Sequence, residues 1–130
     1  DPNSNDWDLK IGIEAELMGT NDKDGIYRQD NHFWMFQAPD GKIFQAGPSA
    51  QAHWIDVDAE TITDSLTRTN ALGEPLDTMV GVALMFDIGK ILTLGGAPDY
   101  RGGYSVPHAH VFDLGTGAGT ETVTQVGDMA

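Results

Sequence analysis

The sequence has no cysteine, no long apolar run and few basic residues. The missing cysteine excludes disulfides and thiolate metal ligands within this chain. No apolar run approaches the ~18 residues that a membrane-spanning helix needs. The first residues do not predict a signal peptide. No stretch has apolar residues at helical spacing over a length that predicts an α-helix. Seven lysines and arginines stand against 20 aspartates and glutamates, a formal charge of −13. Because such a surface repels phosphates and anionic lipids, we expect neither nucleic-acid binding nor membrane insertion.

Turn-forming residues are abundant. Sixteen glycines and six prolines lie in short clusters, separated by brief runs of aromatic and β-branched residues, which favours many short strands joined by turns. The segment Asp22-Lys23-Asp24-Gly25 begins like a calcium loop, but the remaining ligand positions of an EF-hand are missing. We therefore interpret it as a turn and the scattered acidic residues as a solvated surface.

The chain contains an internal repeat. Gly41–Pro48 recurs as Gly89–Gly96, a shift of 48 residues, and each copy follows an apolar run and a turn. Further along, His53–Val57 recurs as His110–Leu114 at a shift of 57, and the nine extra residues fall in the loop after Gly96. A fourth element repeats as Glu60–Thr63 and Glu121–Thr124, at a shift of 61. Each unit thus predicts four strands, arranged as two hairpins.

Four short strands in about 50 residues, with a glycine pair ending the second, are typical of a kelch blade. We therefore predict an all-β fold of about two four-stranded antiparallel blades of a kelch-type β-propeller. The predicted boundaries are the end of a preceding blade and a connecting loop (1–31), the first blade (32–66), a connecting loop (67–79) and the second blade (80–127). The alternation in Trp7–Ile11 suggests the last strand of the preceding blade. We expect other segments to complete the ring, since two blades leave sheet faces exposed.

Three motifs resemble the galactose oxidase family. They are Gly25–His32, Phe44–Ser49 and Gly89–Tyr100, in the family's order and approximate spacing, and the resemblance extends over nearly the whole chain. It implies a seven-bladed propeller in a secreted copper-radical oxidase, which converts a primary alcohol or aldehyde with oxygen and releases hydrogen peroxide. It also implies copper held by two tyrosines and two histidines, one tyrosine being joined to a cysteine in the radical cofactor. None of those motifs occurs here, so we expect every copper and radical ligand outside this chain.

The resemblance implies that four residues of this chain bind the substrate. The family's Tyr-Arg pair corresponds to Tyr27 and Arg28, and its Tyr-Gln pair to Tyr100 and Arg101. A guanidinium suits sugar recognition because its fork of donors can bind two neighbouring hydroxyls. Arginine in place of glutamine adds a second cation, which favours an anionic substrate such as a uronate or a carboxylate-bearing aldehyde over galactose. The alternative is that Arg101 points to solvent.

Other polar and aromatic residues favour structural roles. His108 and His110 share one face of a strand and could bind a metal together. However, His53 is the counterpart of His110 in the first repeat unit, which favours packing over metal binding. For His32 we expect a structural hydrogen bond. Strand positions predict core packing for Phe33, Trp34 and Trp54. The rival to the oxidase is an extracellular kelch propeller without copper that binds carbohydrate or serves in assembly.

Overall fold

The computed structural model describes residues 3–20, 32–99 and 103–129. After a short 3-10 helix, Ala15–Met18, it contains eight strands in two sheets. The first sheet consists of β1 (Met35–Gln37), β2 (Ile43–Gln45), β3 (Gln51–Asp56) and β4 (Thr61–Thr67). The second consists of β5 (Val82–Asp87), β6 (Lys90–Leu94), β7 (His108–Asp113) and β8 (Thr122–Asp128).

Every strand pairs antiparallel with the strand that follows it within its sheet. The first hairpin of each sheet turns at a glycine with positive φ, Gly41 at 88° and Gly89 at 68°, a conformation that costs glycine nothing. The sequence prediction of two four-stranded units is thereby confirmed.

The two sheets share one apolar core. Phe44 and Trp54 of the first sheet meet edge to face at 4.9 Å between ring centroids, and Phe44 lies 5.6 Å from Phe112 of the second sheet. Ile91 and Leu114 complete the contact from the second sheet, and both are fully buried. The predicted core position of Trp54 is confirmed, at 3% exposure.

The sheets are stacked front to back. The face of the first sheet that packs on the second carries Phe36, Phe44 and Trp54. The repeat places Leu84, Leu92 and Val111 at the equivalent positions of the second sheet, where they share one face by register. That face points away from the first sheet, which is contacted instead by Ile91 and Phe112. Successive units therefore present the same face in the same direction, as blades of a propeller do.

The expected strand over Trp7–Ile11 is not formed. These residues carry no strand assignment, and the backbone turns after Lys10, whose carbonyl accepts a hydrogen bond from the amide of Ile13. Trp7, Leu9 and Ile11 are 99%, 81% and 79% exposed. The prediction was wrong because alternating apolar residues need a neighbouring strand to pair with, and the described residues provide none at this position.

In the described part of the chain, no helix has the length and apolar character required to cross a membrane.

Candidate functional site

The four predicted substrate-binding residues, Tyr27, Arg28, Tyr100 and Arg101, lie outside the described residues, as does the predicted turn at 22–25. The structure describes the residues on either side of the two predicted loops that carry them. The first predicted loop, residues 21–31, precedes β1 in the sequence. The second, residues 100–102, lies between Asp99 and Gly103, which are close together: a Cβ on Gly103 would lie 3.0 Å from the amide nitrogen of Asp99.

Trp34 fixes the chain where the first loop joins the first sheet. Its amide donates to the Gly47 carbonyl and its carbonyl accepts from the Ala46 amide, both at 2.9 Å, so that it extends the β1–β2 ladder. Its ring lies against the backbone of two glycines, because a Cβ on Gly47 would be 2.8 Å and one on Gly81 would be 3.1 Å from ring carbons. Trp34 and Phe33 are half-buried, a partial form of the core packing that the sequence predicts.

The second loop departs from a segment that is held equally tightly. The Ala97 amide donates to the Met79 carbonyl at 2.9 Å, and a Cβ on Gly96 would lie 2.6 Å from the Thr78 carbonyl oxygen. The Thr78 amide in turn donates to the Pro48 carbonyl at 2.8 Å. The ends of β2 and β6 are therefore joined through residues 78–79, and the described residues 32–34 and 97–99, which flank the two predicted loops, lie at this end of the sheets.

Arg68, at the end of the first sheet, places a fully buried guanidinium between these segments. All three guanidinium nitrogens donate, and the acceptors are the Leu76 carbonyl at 3.2 Å, the Ala46 carbonyl at 3.2 Å, the Pro48 and Ser49 carbonyls at 3.0 and 3.1 Å, and the Thr93 hydroxyl at 3.4 Å. The guanidinium carbon lies 5.8 Å from the centroid of the Trp34 ring. Burial lowers the pKa of Arg68 to about 10, against the opposing effect of Asp77, so the side chain remains a cation at neutral pH.

Nothing in the sequence marks Arg68 as a functional residue, because arginine is ordinarily a surface residue and Thr67-Arg68-Thr69 matches no motif. The residue also lies after the last repeated element of the first unit, where the repeat offers no second copy for comparison.

His53 is a buried structural residue. Its Nδ1 lies 2.8 Å from Oε1 of Gln45, whose amide nitrogen donates to the Gly47 carbonyl and the Ser49 hydroxyl. Since Oε1 must then accept, the proton of neutral His53 is on Nδ1. Burial lowers the pKa of His53, and Asp64 only partly opposes this effect. The side chain is therefore neutral at pH 7 and supports the turn after β2.

His110 is likewise buried, and its Nε2 donates to the Thr69 carbonyl at 3.1 Å, which agrees with the predicted packing role. Burial lowers its pKa; the hydrogen bond to Thr69 opposes this, and Arg68 and His108 lower it further. His108 instead pairs with Asp128, Nδ1 to Oδ1, at 2.8 Å. Among residues 3–20, 32–99 and 103–129, no group of three or more potential ligands could hold a metal ion.

Glu121, immediately before β8, links the two sheets by hydrogen bonds. Its Oε1 accepts from Trp54 Nε1 at 2.9 Å and from the Ser65 hydroxyl at 2.5 Å, both in the first sheet, while Oε2 accepts from the Gly119 amide at 2.6 Å. Burial opposes ionisation, but the hydrogen bonds from Ser65, Trp54 and Gly119 outweigh it and lower the pKa of Glu121. In the sequence, Glu121 stands out only as a position of the internal repeat.

An open cavity of about 250 Å³ lies beside the β1–β2 turn, lined by Asp40, Gly41, Lys42, Asp56, Val57 and Asp58. This turn is at the end of the first sheet opposite Gly47. The cavity is therefore remote from the departure points of the predicted pocket loops.

Known proteins resemble the chain in sequence and in structure. Two curated galactose oxidases of Gibberella zeae are each 38% identical over 117 residues, which is 88% of this chain. A solved structure, described as a novel fungal alcohol oxidase of the AA5 family in complex with copper, superposes with a TM-score of 0.83 at 30% identity over 98% of this chain. The chain is galactose oxidase-like in sequence and fold. No protein-family model matches it.

The galactose oxidase-like chain spans 17% of the length of the curated relatives and 26% of the solved oxidase. The copper and radical cofactor that this resemblance implies do not fit the described residues. The sequence has no cysteine for a thioether, and the described histidines are hydrogen-bonded to backbone or side-chain partners or lie apart, without forming a ligand cluster.

Proposed function

We propose that this chain is a segment of a secreted copper-radical oxidase with a kelch-type propeller, in which it supplies scaffold and part of the substrate pocket. The observation that carries the proposal is the similarity to galactose oxidases over 88% of the chain in sequence and to a fungal alcohol oxidase over 98% of the chain in structure. The described geometry supports it, because the residues next to the segments that carry Tyr27-Arg28 and Tyr100-Arg101, namely 32–34 and 97–99, lie at one end of the two sheets.

The proposed reaction is a two-electron oxidation. A primary alcohol loses two electrons and two protons to give an aldehyde, or a hydrated aldehyde loses them to give a carboxylic acid. Oxygen takes up the same electrons and protons and becomes hydrogen peroxide. In the proposed enzyme, the residues of this chain bind and orient the substrate, while other segments hold the copper and the Cys-Tyr radical cofactor.

We propose that the substrate is anionic. We propose that Arg28 and Arg101 contact the same bound molecule, because the described residues that flank their two segments are joined by hydrogen bonds through Gly47 and Thr78. Arginine binds a carboxylate through two parallel, charge-assisted hydrogen bonds. A carboxylate-bearing aldehyde such as glyoxylate, or a uronate reacting at its C1 aldehyde because its C6 is already a carboxylate, would satisfy both arginines, whereas galactose presents only neutral hydroxyls.

The open face of the second sheet supports a larger propeller. Leu84 and Val82 are 41% and 55% exposed on the second sheet, although the equivalent face of the first sheet is packed. Ile91 and Phe112, on the opposite face of the second sheet, pack against that face of the first sheet. A following blade of the same protein that presents residues like these would cover the open face in the same manner.

The test is peroxide release by the intact copper-loaded protein with glyoxylate, a uronate and galactose. We expect glyoxylate or the uronate to have the highest kcat/KM. The variant Arg101→Gln should raise KM for the anionic substrate about 10- to 100-fold, the equivalent of losing a hydrogen bond to a charged group. Lys42→Gln, at the opposite end of the first sheet, is the matched control and should leave KM unchanged.

Two outcomes contradict the proposal at different levels. A clear preference for galactose that Arg101→Gln does not alter would refute the anionic substrate but not the oxidase. No peroxide from any substrate, together with no bound copper, would refute the oxidase and favour a non-catalytic propeller.

A further inference from the structure

We propose that His110 is an acid-sensitive latch, which holds the connection between the two sheets in place at neutral pH and releases it when the imidazole takes up a proton. The connection is the segment 68–76, which follows β4 and leads towards β5. The latch does not depend on the oxidase activity of the assembled protein.

His110 joins the second sheet to this connection. The residue is 3% exposed, and its Nε2 donates to the Thr69 carbonyl at 3.1 Å. The connection itself folds as a short hairpin, in which Thr69 is bridged to Pro75 and the Leu76 amide donates to the Arg68 carbonyl at 3.0 Å. The imidazole on β7 is therefore the group through which the second sheet binds the start of this hairpin.

The strands on either side of His110 offer it no counter-charge. The residues opposite it in the ladder are Thr93 on β6 and Gln125 on β8, and both are uncharged. His108 lies on the same strand, 6.4 Å away between ring centroids, and is itself the partner of Asp128 on β8. A proton on His110 therefore has no carboxylate opposite it on either neighbouring strand.

Two basic groups act on His110 as well. One is Arg68, a buried cation next to Thr69, whose charge Asp77 stabilises. The other is His108. Burial lowers the pKa of His110 most; the hydrogen bond to Thr69 opposes this, and Arg68 and His108 lower the pKa further. The imidazole therefore takes up a proton more readily after it has left this site than while it is in place.

The first sheet contains a matched histidine with a different neighbour. His53 occupies the repeat position of His110, is 2% exposed, and donates through Nδ1 to Gln45. The repeat places Asp64 where the second unit has Gln125, and Oδ1 of Asp64 lies 3.6 Å from Nε2 of His53. Burial lowers the pKa of both histidines, but Asp64 opposes this effect at His53. A proton on His53 therefore meets a carboxylate, whereas one on His110 meets a cation.

The direction of the pH effect follows from these surroundings. The closed latch contains neutral His110, while a released imidazole has the ordinary pKa of 6.5. Because the closed form binds a proton less readily, its stability is fully present above about pH 6.5 and is lost as the pH falls from there through the lowered pKa of the closed form. One proton taken up on opening raises the opening equilibrium by up to about 10-fold per pH unit in that range.

Amide hydrogen exchange of the intact protein tests the latch, with residues 68–76 as the readout and residues 45–51, next to His53, as the internal reference. Each variant is compared with the unmodified protein at the same pH, so that the intrinsic pH dependence of exchange cancels. Between about pH 7.5 and about pH 5, protection of residues 68–76 should fall about 10-fold more in the unmodified protein than in His110→Gln. The glutamine amide keeps a donor for the Thr69 carbonyl but does not titrate.

Asp64→Asn tests the role of the residue opposite each histidine. Asp64 is exposed, so its replacement should not disturb the fold, and it leaves His53 opposite an uncharged residue as His110 is. The acid-dependent loss of protection in residues 45–51 should then become about two- to fivefold larger than in the unmodified protein, the equivalent of one exposed ion pair. Asp58→Asn, at an exposed carboxylate of the β3–β4 turn, is the matched control and should leave both segments unchanged.

Three results would overturn the proposal. They are an acid-dependent loss in residues 68–76 that persists in His110→Gln, a loss in the unmodified protein that is no larger in residues 68–76 than in residues 45–51, and an Asp64→Asn variant that behaves like Asp58→Asn. Should His110→Gln fail to fold, the comparison of the two segments within the unmodified protein decides the matter, and a loss confined to residues 68–76 supports the latch.

Discussion

Glu121 should contribute strongly to the attachment of the two sheets, and its replacement tests that assignment. In Glu121→Ala the Ser65 hydroxyl and the exposed Gly119 amide can bind water instead, but the indole nitrogen of the buried Trp54 loses its acceptor. Leaving a buried donor unpaired costs about 1–3 kcal/mol, and hydrogen bonds to a charged group contribute about 1.5–3 kcal/mol each before water replaces them. We therefore expect the free energy of unfolding to fall by about 2–4 kcal/mol.

Glu121→Gln should cost less, about 1–2 kcal/mol, because one carbonyl oxygen remains to serve Trp54 and Ser65 while the acceptor for Gly119 is lost. Urea unfolding of the intact protein, followed by tryptophan fluorescence, measures both variants. Glu74→Gln, a change at an exposed glutamate, is the control and should lie within about 0.5 kcal/mol of the unmodified protein.

The pH dependence of the free energy of unfolding tests the role of Glu121 independently. The pKa of Glu121 in the folded protein is below its ordinary value of 4.5. A carboxyl with a lowered pKa stabilises the fold above its unfolded pKa and loses that contribution as the pH falls through the folded pKa. The stability advantage over Glu121→Gln should therefore be constant above pH ~5 and shrink below pH 4.5. An advantage that does not change with pH, or Glu121→Ala as stable as the control, would refute the reasoning.

Two further substitutions test the packing. Gly47→Ala should lower the free energy of unfolding by about 2–4 kcal/mol, because φ is 143° and the new Cβ would lie 2.8 Å from the Trp34 ring. Gly41→Ala is the control. Its φ is 88° but the space around it is open, so it should cost only about 1–2 kcal/mol in urea unfolding. Leu84→Asp should destabilise the intact protein by about 3 kcal/mol or more if a following blade covers this face, while Ile88→Asp, 83% exposed at the β5–β6 turn, should be nearly neutral in thermal denaturation. Equal effects within either pair would contradict the corresponding packing.

The sequence predicted the strands well because the repeat supplied two readings of each. Gly41 and Gly89 mark equivalent turns, and the apolar runs before and after them became β1, β2, β5 and β6. A period-2 pattern also predicts which residues share a face. It does not predict which face meets which sheet, and this information came only from the contact of Phe44 with Phe112.

The polar contacts were not predictable in this way. Glu60 and Glu121 occupy equivalent positions, yet Glu60 pairs with Lys10 at 3.4 Å and Glu121 binds Trp54 and Ser65. The repeat fixes where a side chain stands in its own blade, whereas its partners belong to the neighbouring segment. Arg68 illustrates the same limit, since its acceptors are backbone carbonyls that carry no sequence signal. The predicted pocket residues Tyr27, Arg28, Tyr100 and Arg101 rest on resemblance and remain predictions.

The most direct test of the central claim compares peroxide release by the intact protein with and without bound copper, using glyoxylate, a uronate and galactose as substrates. The account predicts release that depends on copper and equals the substrate oxidised, with Arg28→Ala raising KM. A copper-loaded protein that binds these compounds but releases no peroxide would contradict the assignment of this chain to an oxidase.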